Sequence, residues 1–376
     1  MQPIQMVDLQ SQYKQLKTEL DARVIRCIES GAFIQGPEVR SFEADLSTYL
    51  EGAHVIACAN GTDALQIALM ALNLEHGDEV IVPSFTFVAS VEVIALLGLK
   101  PIVVDVDPRT FLMKTEDIEA SLSPRTKAII PVHLFGQCVN MKVLMAIAKS
   151  RDLYVIEDNA QSIGARCNVT DDTRQMSGTI GHIGCTSFYP SKNLGCYGDG
   201  GAMFSRDEHL ANKIKMLANH GMDRRYYHDE IGVNSRLDSM QAAILNVKLP
   251  HLDQWNQKRR NAADQYDQQL AKIANVLVPT RVAWSEHVFH QYTIRVTDGR
   301  RDELQKYLAE HKIPSMIYYP VPMHEQAAFN KLVRRRVPLL QTEKISKEVL
   351  SLPMHPDLTE DQISYICEHI GTFFTA

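Results

Sequence analysis

The chain has 376 residues, of which 45 % are hydrophobic and 22 % are charged, and these proportions are typical of soluble globular proteins. Its formal net charge of −6 and its lack of long basic runs argue against a nucleic-acid-binding protein. We predict that the one short basic cluster, residues 334–336, is a solvated helix end.

Other patterns narrow the class of protein further. No apolar run approaches the ~20 residues that a membrane helix needs, so we expect no membrane partner. Residues 1–15 lack the basic and apolar segments of a signal peptide. Seven cysteines are scattered without a CxxC pair. This odd, unpaired set argues against a disulfide framework or a metal site and favours the reducing cytoplasm.

Short apolar runs alternate with helical stretches between residues 55 and 204. The pattern predicts strands at 55–59, 79–83, 101–106, 128–132 and 153–157, with helices at 62–74, 89–97 and 141–150. Continuous apolar strands that alternate with helices indicate an α/β fold with a largely parallel sheet covered on both faces.

The pattern changes near residue 250. A long polar helix is predicted at 252–274, strands at 291–296 and 315–318, and a helix at 301–311. We therefore expect a large domain over residues 1–250 and a smaller C-terminal α+β domain over residues 251–376.

Ligands of such sheets bind beyond the carboxyl ends of the strands, so the polar residues that follow each strand are candidates for a site. Asn60-Gly61-Thr62-Asp63 lies where a predicted strand meets a helix. Gly61 allows close approach of a ligand, and the helix dipole favours an anion at this end. An ordinary helix cap by Asn60 or Thr62 explains the same residues.

Asp158 follows the apolar strand at 153–157. A partly buried carboxylate needs a cation, and a protonated pyridine nitrogen is one such partner. A capping aspartate at the next turn is the alternative. Lys192 lies among Ser and Gly residues within an apolar stretch. A desolvated lysine acquires a lowered pKa and becomes a usable nucleophile, although a surface lysine on a loop fits the local sequence equally well.

Together these segments resemble the DegT/DnrJ/EryC1/StrS sugar aminotransferases, a group within the fold-type I pyridoxal-phosphate enzymes that resemble aspartate aminotransferase. The resemblance covers nearly the whole chain. Its most specific segments are Ala59-Asn60-Gly61-Thr62-Asp63-Ala64-Leu65, Ile156-Glu157-Asp158, Pro190-Ser191-Lys192 and Val233-Asn234-Ser235-Arg236-Leu237-Asp238.

The resemblance implies a role for each matched position. Lys192 matches the lysine that binds pyridoxal 5'-phosphate (PLP) covalently and shuttles a proton, and Asp158 matches the carboxylate at the pyridine nitrogen. The other implied cofactor contacts are Gln161 at the phenolic oxygen, Phe87 on the ring face, and Gly61, Thr62 and Ser187 at the phosphate. Asn234 matches an asparagine that the partner subunit supplies, which implies a homodimer with shared active sites.

The substrate is implied only by closer resemblance. Residues 187–201 and 220–226 are similar to the subgroup that transfers an amino group from glutamate to C-3 of UDP-2-acetamido-2-deoxy-3-oxo-glucuronate, for surface polysaccharide synthesis. Arg236 is a candidate for binding a carboxylate of glutamate or the sugar, or else forms an ion pair with Asp238. The resemblance places Tyr318, Tyr319 and His324 beside the sugar, although Tyr318 departs from the histidine of close relatives.

Three alternatives remain open at this stage. A C-4 aminotransferase of a nucleotide-linked 4-keto-6-deoxy sugar belongs to the same class and needs no carboxylate-binding arginine. A non-catalytic regulator is disfavoured because the matched Lys192, Asp158 and Gln161 are all present. A dinucleotide-dependent oxidoreductase is disfavoured because no GxGxxG follows the first strand.

Overall fold

The structure is a computed structural model that describes residues 3–170 and 172–375. The helices are α1 Leu9–Ser30, α2 Pro37–Tyr49, α3 Gly61–Ala71, α4 Ala89–Leu96, α5 Glu116–Ser121, α6 Met141–Ser150, α7 Glu208–Leu217, α8 Ser239–Lys248, α9 Leu252–Leu270, α10 Arg301–Glu310, α11 Leu340–Glu348 and α12 Glu360–Thr375. The strands are β1 His54–Cys58, β2 Glu79–Pro83, β3 Lys100–Val104, β4 Thr126–Ile129, β5 Tyr154–Asp158, β6 Arg166–Asn168, β7 Arg174–Met176, β8 Ile183–Ser187, β9 Gly201–Ser205, β10 Met222–Arg224, β11 Tyr227–His228, β12 Val276–Leu277, β13 Tyr292–Val296, β14 Arg334–Arg335 and β15 Val349–Leu352.

A mixed eight-stranded sheet forms the centre of the molecule, in the order β1-β9-β8-β5-β4-β2-β3-β14. β9 is antiparallel to both of its neighbours, and the remaining pairs are parallel. The predicted α/β fold with a largely parallel sheet is confirmed. The carboxyl ends of β2, β5 and β8 consequently lie at one edge of the sheet, where the polar residues that follow them can meet.

Helices cover both faces of this sheet. One face packs against α3, α4 and α7, and the other against α5 and α6, with α2 and α8 over the β1–β9 end. β2 is buried at every position, as the continuous apolar run after Glu79 predicts.

A second, smaller sheet follows residue 250. Its three antiparallel strands, in the order β12-β13-β15, pack against α9, α10 and α12 around a separate apolar cluster. Between β13 and β15 the chain returns to the large sheet. There β14 pairs with β3, and Met323, Phe329 and Val333 join the apolar core of the large domain. Residues 251–376, expected to form the small domain, thus also complete the large one.

Two predicted elements are wrong. Residues 334–336 are not a helix end, because Arg334 and Arg335 form the edge strand β14 beside Ile102 and Val103. Residues 315–318 are not a strand, because only Met316 pairs, with Ser351. The chain turns away there and carries Tyr319 towards the large sheet, where its hydroxyl meets Gln161.

The described residues contain no helix that is long and apolar enough to cross a membrane. All seven cysteines are buried free thiols.

Candidate active site

Lys192 lies in the connection between β8 and β9, within a turn closed by its own amide donating to the carbonyl of Tyr189 at 2.8 Å. Burial lowers the pKa of its ammonium to about 8, and the nearby carboxylate of Asp158 opposes this shift. A lowered pKa increases the fraction of neutral amine, which is the form that attacks a carbonyl carbon. The connection after β8 therefore carries an amine whose lowered pKa suits it to act as a nucleophile.

Asp158 ends β5, beside β8, and is 6 % exposed. Its Oδ2 accepts a hydrogen bond of 2.7 Å from the hydroxyl of Ser90, and its Oδ1 accepts one of 3.2 Å from the amide of Ala160. These two donors fix the plane of the carboxylate and leave it able to receive a further proton donor.

An anion-binding cradle adjoins these groups. Asn60 caps α3 by accepting a 2.8 Å hydrogen bond from the amide of Asp63. The helix cap that was one interpretation of this segment is therefore formed by Asn60. Gly61 lies against Ser187, and a Cβ at Gly61 would come within 2.8 Å of the Ser187 Cβ. Only glycine permits this approach, which places the free amides of α3, Thr62 and the Ser187 hydroxyl around one space.

Aromatic rings form one wall of the site. Phe87 is 52 % exposed, and its ring centroid lies 6.2 Å from that of Tyr319. The Nε2 of Gln161 donates to the Tyr319 hydroxyl at 3.1 Å, while its Oε1 accepts from the amide of Phe135 at 2.7 Å. Burial raises the pKa of Tyr319, which keeps this phenol protonated. Tyr318 is adjacent to Tyr319 and partly buried.

Among the described residues, neither Asn234 nor Arg236 forms a hydrogen bond with Lys192. Asn234 is exposed, while the intervening Ser235 is anchored, donating to Asp63 at 2.6 Å. Arg236 lines a cleft with Gln35 whose lining contains none of the groups around Lys192. In the part of the chain that the structure describes, Arg236 forms no ion pair, so the pair with Asp238 is not formed.

His324 is engaged on both ring nitrogens. Its Nδ1 lies 2.7 Å from the Ser84 hydroxyl, and its Nε2 lies 3.3 Å from Glu343 Oε1. These contacts tie the turn at Met323–Glu325 to the end of β2 and to α11. A sugar contact by this imidazole would require one of the two bonds to break.

Three further polar groups support the site, and the sequence assigned a role to none of them. Ser90, at the start of α4, orients Asp158 as described above. The buried His133 accepts from the amide of Val139 through Nδ1, so its Nε2–H donates to Glu157 at 2.8 Å. Glu157 in turn accepts from three amides of the turn before β8, those of Gly178, Ile180 and Gly181. The His133–Glu157 pair thereby joins β5 to that turn.

The DegT/DnrJ/EryC1/StrS aminotransferase family matches residues 14–371. The chain belongs to this family. This is the family that the sequence was predicted to resemble. The prediction of a PLP-dependent nucleotide-sugar aminotransferase is confirmed.

Three curated relatives cover nearly the whole chain. It is 46 % identical to a pleiotropic regulatory protein of Geobacillus stearothermophilus over 99 % of this chain and 98 % of the relative. It is 43 % identical to the UDP-2-acetamido-2-deoxy-3-oxo-D-glucuronate aminotransferase of Pseudomonas aeruginosa, over 97 % and 98 % of the two chains. It is 44 % identical to a UDP-N-acetyl-3-dehydro-alpha-D-glucosamine 3-aminotransferase of Acidithiobacillus ferrooxidans, over 96 % of each.

Two solved structures share the fold. A family aminotransferase from Brucella abortus superposes with a TM-score of 0.94 at 42 % identity, covering 99 % of this chain and 100 % of the other. NtdA from Bacillus subtilis, with bound cofactor PMP, superposes with a TM-score of 0.88 at 33 % identity, covering 99 % and 83 %. The predicted fold type and the predicted cofactor class are confirmed.

Proposed function

We propose that the protein transfers an amino group from glutamate to C-3 of UDP-2-acetamido-2-deoxy-3-oxo-glucuronate. The similarity to the Pseudomonas aeruginosa enzyme of that name, over nearly the full length of both chains, carries this proposal. The product is an amino sugar of the kind used in surface polysaccharides, and we place the reaction in the cytoplasm.

The residues of this site fit PLP. The α3 cradle of Gly61, Thr62 and Ser187 suits a phosphate, the buried Asp158 suits a protonated ring nitrogen, and Phe87 offers an exposed ring face. The cofactor, when bound, supplies a ring that withdraws electrons from the substrate carbon.

The protein's own groups would then act in fixed roles. Asp158 holds the proton at the ring nitrogen, while Ser90 and Ala160 hold Asp158. Lys192, with its lowered pKa, binds the cofactor and later moves a proton away from the substrate carbon. Gln161, which donates to the Tyr319 hydroxyl, would hold the phenolic oxygen of the bound cofactor, and the aromatic rings would exclude water on that side.

We further propose that the enzyme is a homodimer in which Asn234 and Arg236 serve the partner's site. The exposed face beside them is apolar, because Phe33 and Ile34 are 46 % and 51 % exposed and Ile34 bridges to Asp238. An exposed apolar patch next to an unpaired arginine is typical of a subunit interface. Arg236 would then bind the uronate or glutamate carboxylate across that interface.

The decisive assay compares two 3-keto sugars with glutamate as donor, the uronate and its neutral glucosamine analogue. We expect turnover of the uronate, and we expect Arg236→Met to lower its kcat/KM by about 10- to 100-fold while the neutral analogue changes little. Arg40→Met, a change in the same cleft, is the matched control and should leave the ratio of the two substrates unchanged.

Turnover of a 4-keto-6-deoxy nucleotide sugar alone would overturn the C-3 assignment in favour of the C-4 alternative. An equal loss on both 3-keto sugars in Arg236→Met would overturn a role of Arg236 in binding the uronate carboxylate but leave the reaction standing.

A further inference from the structure

Lys248, at the end of α8, is a buried cation that the proposed reaction does not use. Its side chain is fully buried, and burial lowers its pKa to about 7. In the part of the chain that the structure describes, no carboxylate pairs with it. A buried ammonium without an acidic partner is costly unless other groups satisfy it, so its actual contacts indicate what it stabilises.

Both contacts of the Lys248 ammonium are made with the loop that carries Lys192. Its Nζ donates a hydrogen bond of 2.7 Å to the carbonyl of Gly195, three residues beyond Lys192. The same ammonium lies 4.1 Å from the centroid of the Tyr197 ring. A cation over an aromatic ring is attracted more strongly when it is desolvated, as this buried ammonium is.

The loop itself is tightly folded, so a restraint at Gly195 reaches Lys192. The amide of Cys196 donates to the carbonyl of Phe188 at 2.8 Å, which closes the loop around Lys192. Gly195 packs on Pro190, and a Cβ there would come within 2.5 Å of the Pro190 carbonyl oxygen. Movement of the Gly195 carbonyl would therefore displace the turn from which the Lys192 side chain extends.

A second side chain of α8 holds the same loop. The Oε1 of Gln241 accepts a hydrogen bond of 2.9 Å from the amide of Tyr197. α8 also packs on α1 and α2, so the loop is attached to a rigid three-helix layer. Lys248 and Gln241 thus bind the loop at two points seven residues apart on one helix.

We propose that Lys248 is a positioning residue that fixes residues 189–197, so that the Lys192 amine is already in place when the cofactor arrives. This inference rests on the proposed role of Lys192. A merely space-filling role for Lys248 would require only its volume, whereas a positioning role requires the amine to donate its hydrogen bond to the carbonyl of Gly195.

Lys248→Met keeps the side chain's length and removes both the donor and the charge. In the protein freed of cofactor, we expect amide hydrogen exchange over residues 189–197 to accelerate about tenfold or more, because a hydrogen bond to a charged group is lost. We also expect slower capture of added PLP and a lower kcat, with the KM for glutamate little changed.

Arg301→Met is the matched control, since Arg301 is another buried cation that donates to backbone carbonyls, those of Ser346 and Val349, in the small domain. It should leave exchange in residues 189–197 unchanged. If Lys248→Met does not fold, Tyr197→Leu removes the ring beneath the ammonium and should give a weaker change in the same direction.

Unchanged exchange and unchanged PLP capture in a folded Lys248→Met protein would overturn the positioning role. Where only Tyr197→Leu folds, the same result in that variant would overturn it. The proposed function has a separate test, because Lys192→Ala must abolish covalent capture of PLP. Capture that persists in Lys192→Ala would refute the role of Lys192 itself.

Discussion

At the scale of single residues, the buried Ser90 hydroxyl orients the carboxylate of Asp158. Its hydrogen bond to Oδ2 measures 2.7 Å, and Ser90 itself is within 3.0 Å of the Thr86 hydroxyl. These two hydrogen bonds link Thr86, Ser90 and Asp158 in series and orient one carboxylate oxygen of Asp158 from the start of α4.

Ser90→Ala should weaken PLP binding by about 10- to 100-fold, because a hydrogen bond to a carboxylate stabilises by about 1.5–3 kcal/mol. Dialysis of the loaded protein against increasing volumes of buffer, followed by absorbance, measures the retained cofactor. Ser121→Ala is the control, since its buried hydroxyl has no hydrogen-bond partner in the structure. Equal retention in Ser90→Ala and the parent would contradict this role.

Sequence patterns located the acidic and basic groups of the site but not the residues that orient them. The end of a predicted strand pointed to Asp158, whereas Lys192 lies five residues beyond β8, where no strand was predicted, and was singled out by its apolar surroundings and by the resemblance. Ser90 precedes Asp158 by 68 residues in a different element, and only the folding of the sheet brings the two together. Arg236 was chosen because an arginine suits a carboxylate and because it lies two residues after Asn234, but the sequence could not predict that it lines a cleft with Gln35.

At the scale of elements, an ion pair attaches the returning C-terminal chain to β2. Arg336 donates to both carboxylate oxygens of Glu79, at 2.7 and 2.9 Å, and to the carbonyl of Ser121 at 2.6 Å. Although burial raises the pKa of Glu79, these hydrogen bonds outweigh it and hold the pKa below its ordinary value.

Glu79→Gln should lower the free energy of unfolding at pH 7 by about 1–3 kcal/mol, because a charge-assisted bidentate pair is lost. The folded protein binds the Glu79 proton less tightly than the unfolded chain does. The ion pair therefore makes its full contribution to the free energy of unfolding above about pH 4.5, the pKa of Glu79 in the unfolded chain. This contribution disappears as the pH falls through the lower pKa that Glu79 has in the folded protein.

Urea-induced unfolding of parent and variant at several pH values measures this difference, which should narrow towards acidic pH. Arg335→Met changes a neighbouring arginine whose side chain is 57 % exposed, and it should alter stability by less than about 0.5 kcal/mol. A difference that stays constant down to pH 3 would contradict the ion pair as its source.

The strands that the sequence predicted well are those with continuous apolar runs. β2 agrees at both ends with the prediction at 79–83, because the four residues after Glu79 form a continuous apolar run that is buried on both faces. β14 was missed because two arginines carry no such signal and join the sheet only through backbone pairing with β3. Residues 315–318 misled for the opposite reason, since Ile317 and Tyr318 pack on apolar clusters although only Met316 pairs with another strand.

At the scale of the whole molecule, the proposed dimer makes each active site depend on two chains. Lys192→Ala and Asn234→Asp are each expected to be inactive alone, since one lacks the amine and the other repels the phosphate. Unfolding and refolding an equal mixture should restore about a quarter of the parental activity, because half of the dimers are mixed and each has one intact site.

The control mixture combines Lys192→Ala with Ser187→Asp, two changes on the same side of the proposed interface. It should remain inactive, because every mixed dimer then has one defect in each site. Recovery by both mixtures, or by neither, would contradict a site shared in this way. A sedimentation experiment on the parent would establish the dimer independently.

The pairing of β14 with β3 also has a consequence for how the protein is made. The strands from β1 to β9 are translated well before residues 334–335, so β3 remains an uncovered edge while some 130 further residues emerge from the ribosome. Unpaired edges of this kind recruit other chains and promote aggregation. Besides covering β3, the two arginines of β14 would protect the completed sheet, because their charge opposes pairing of this edge strand with another sheet.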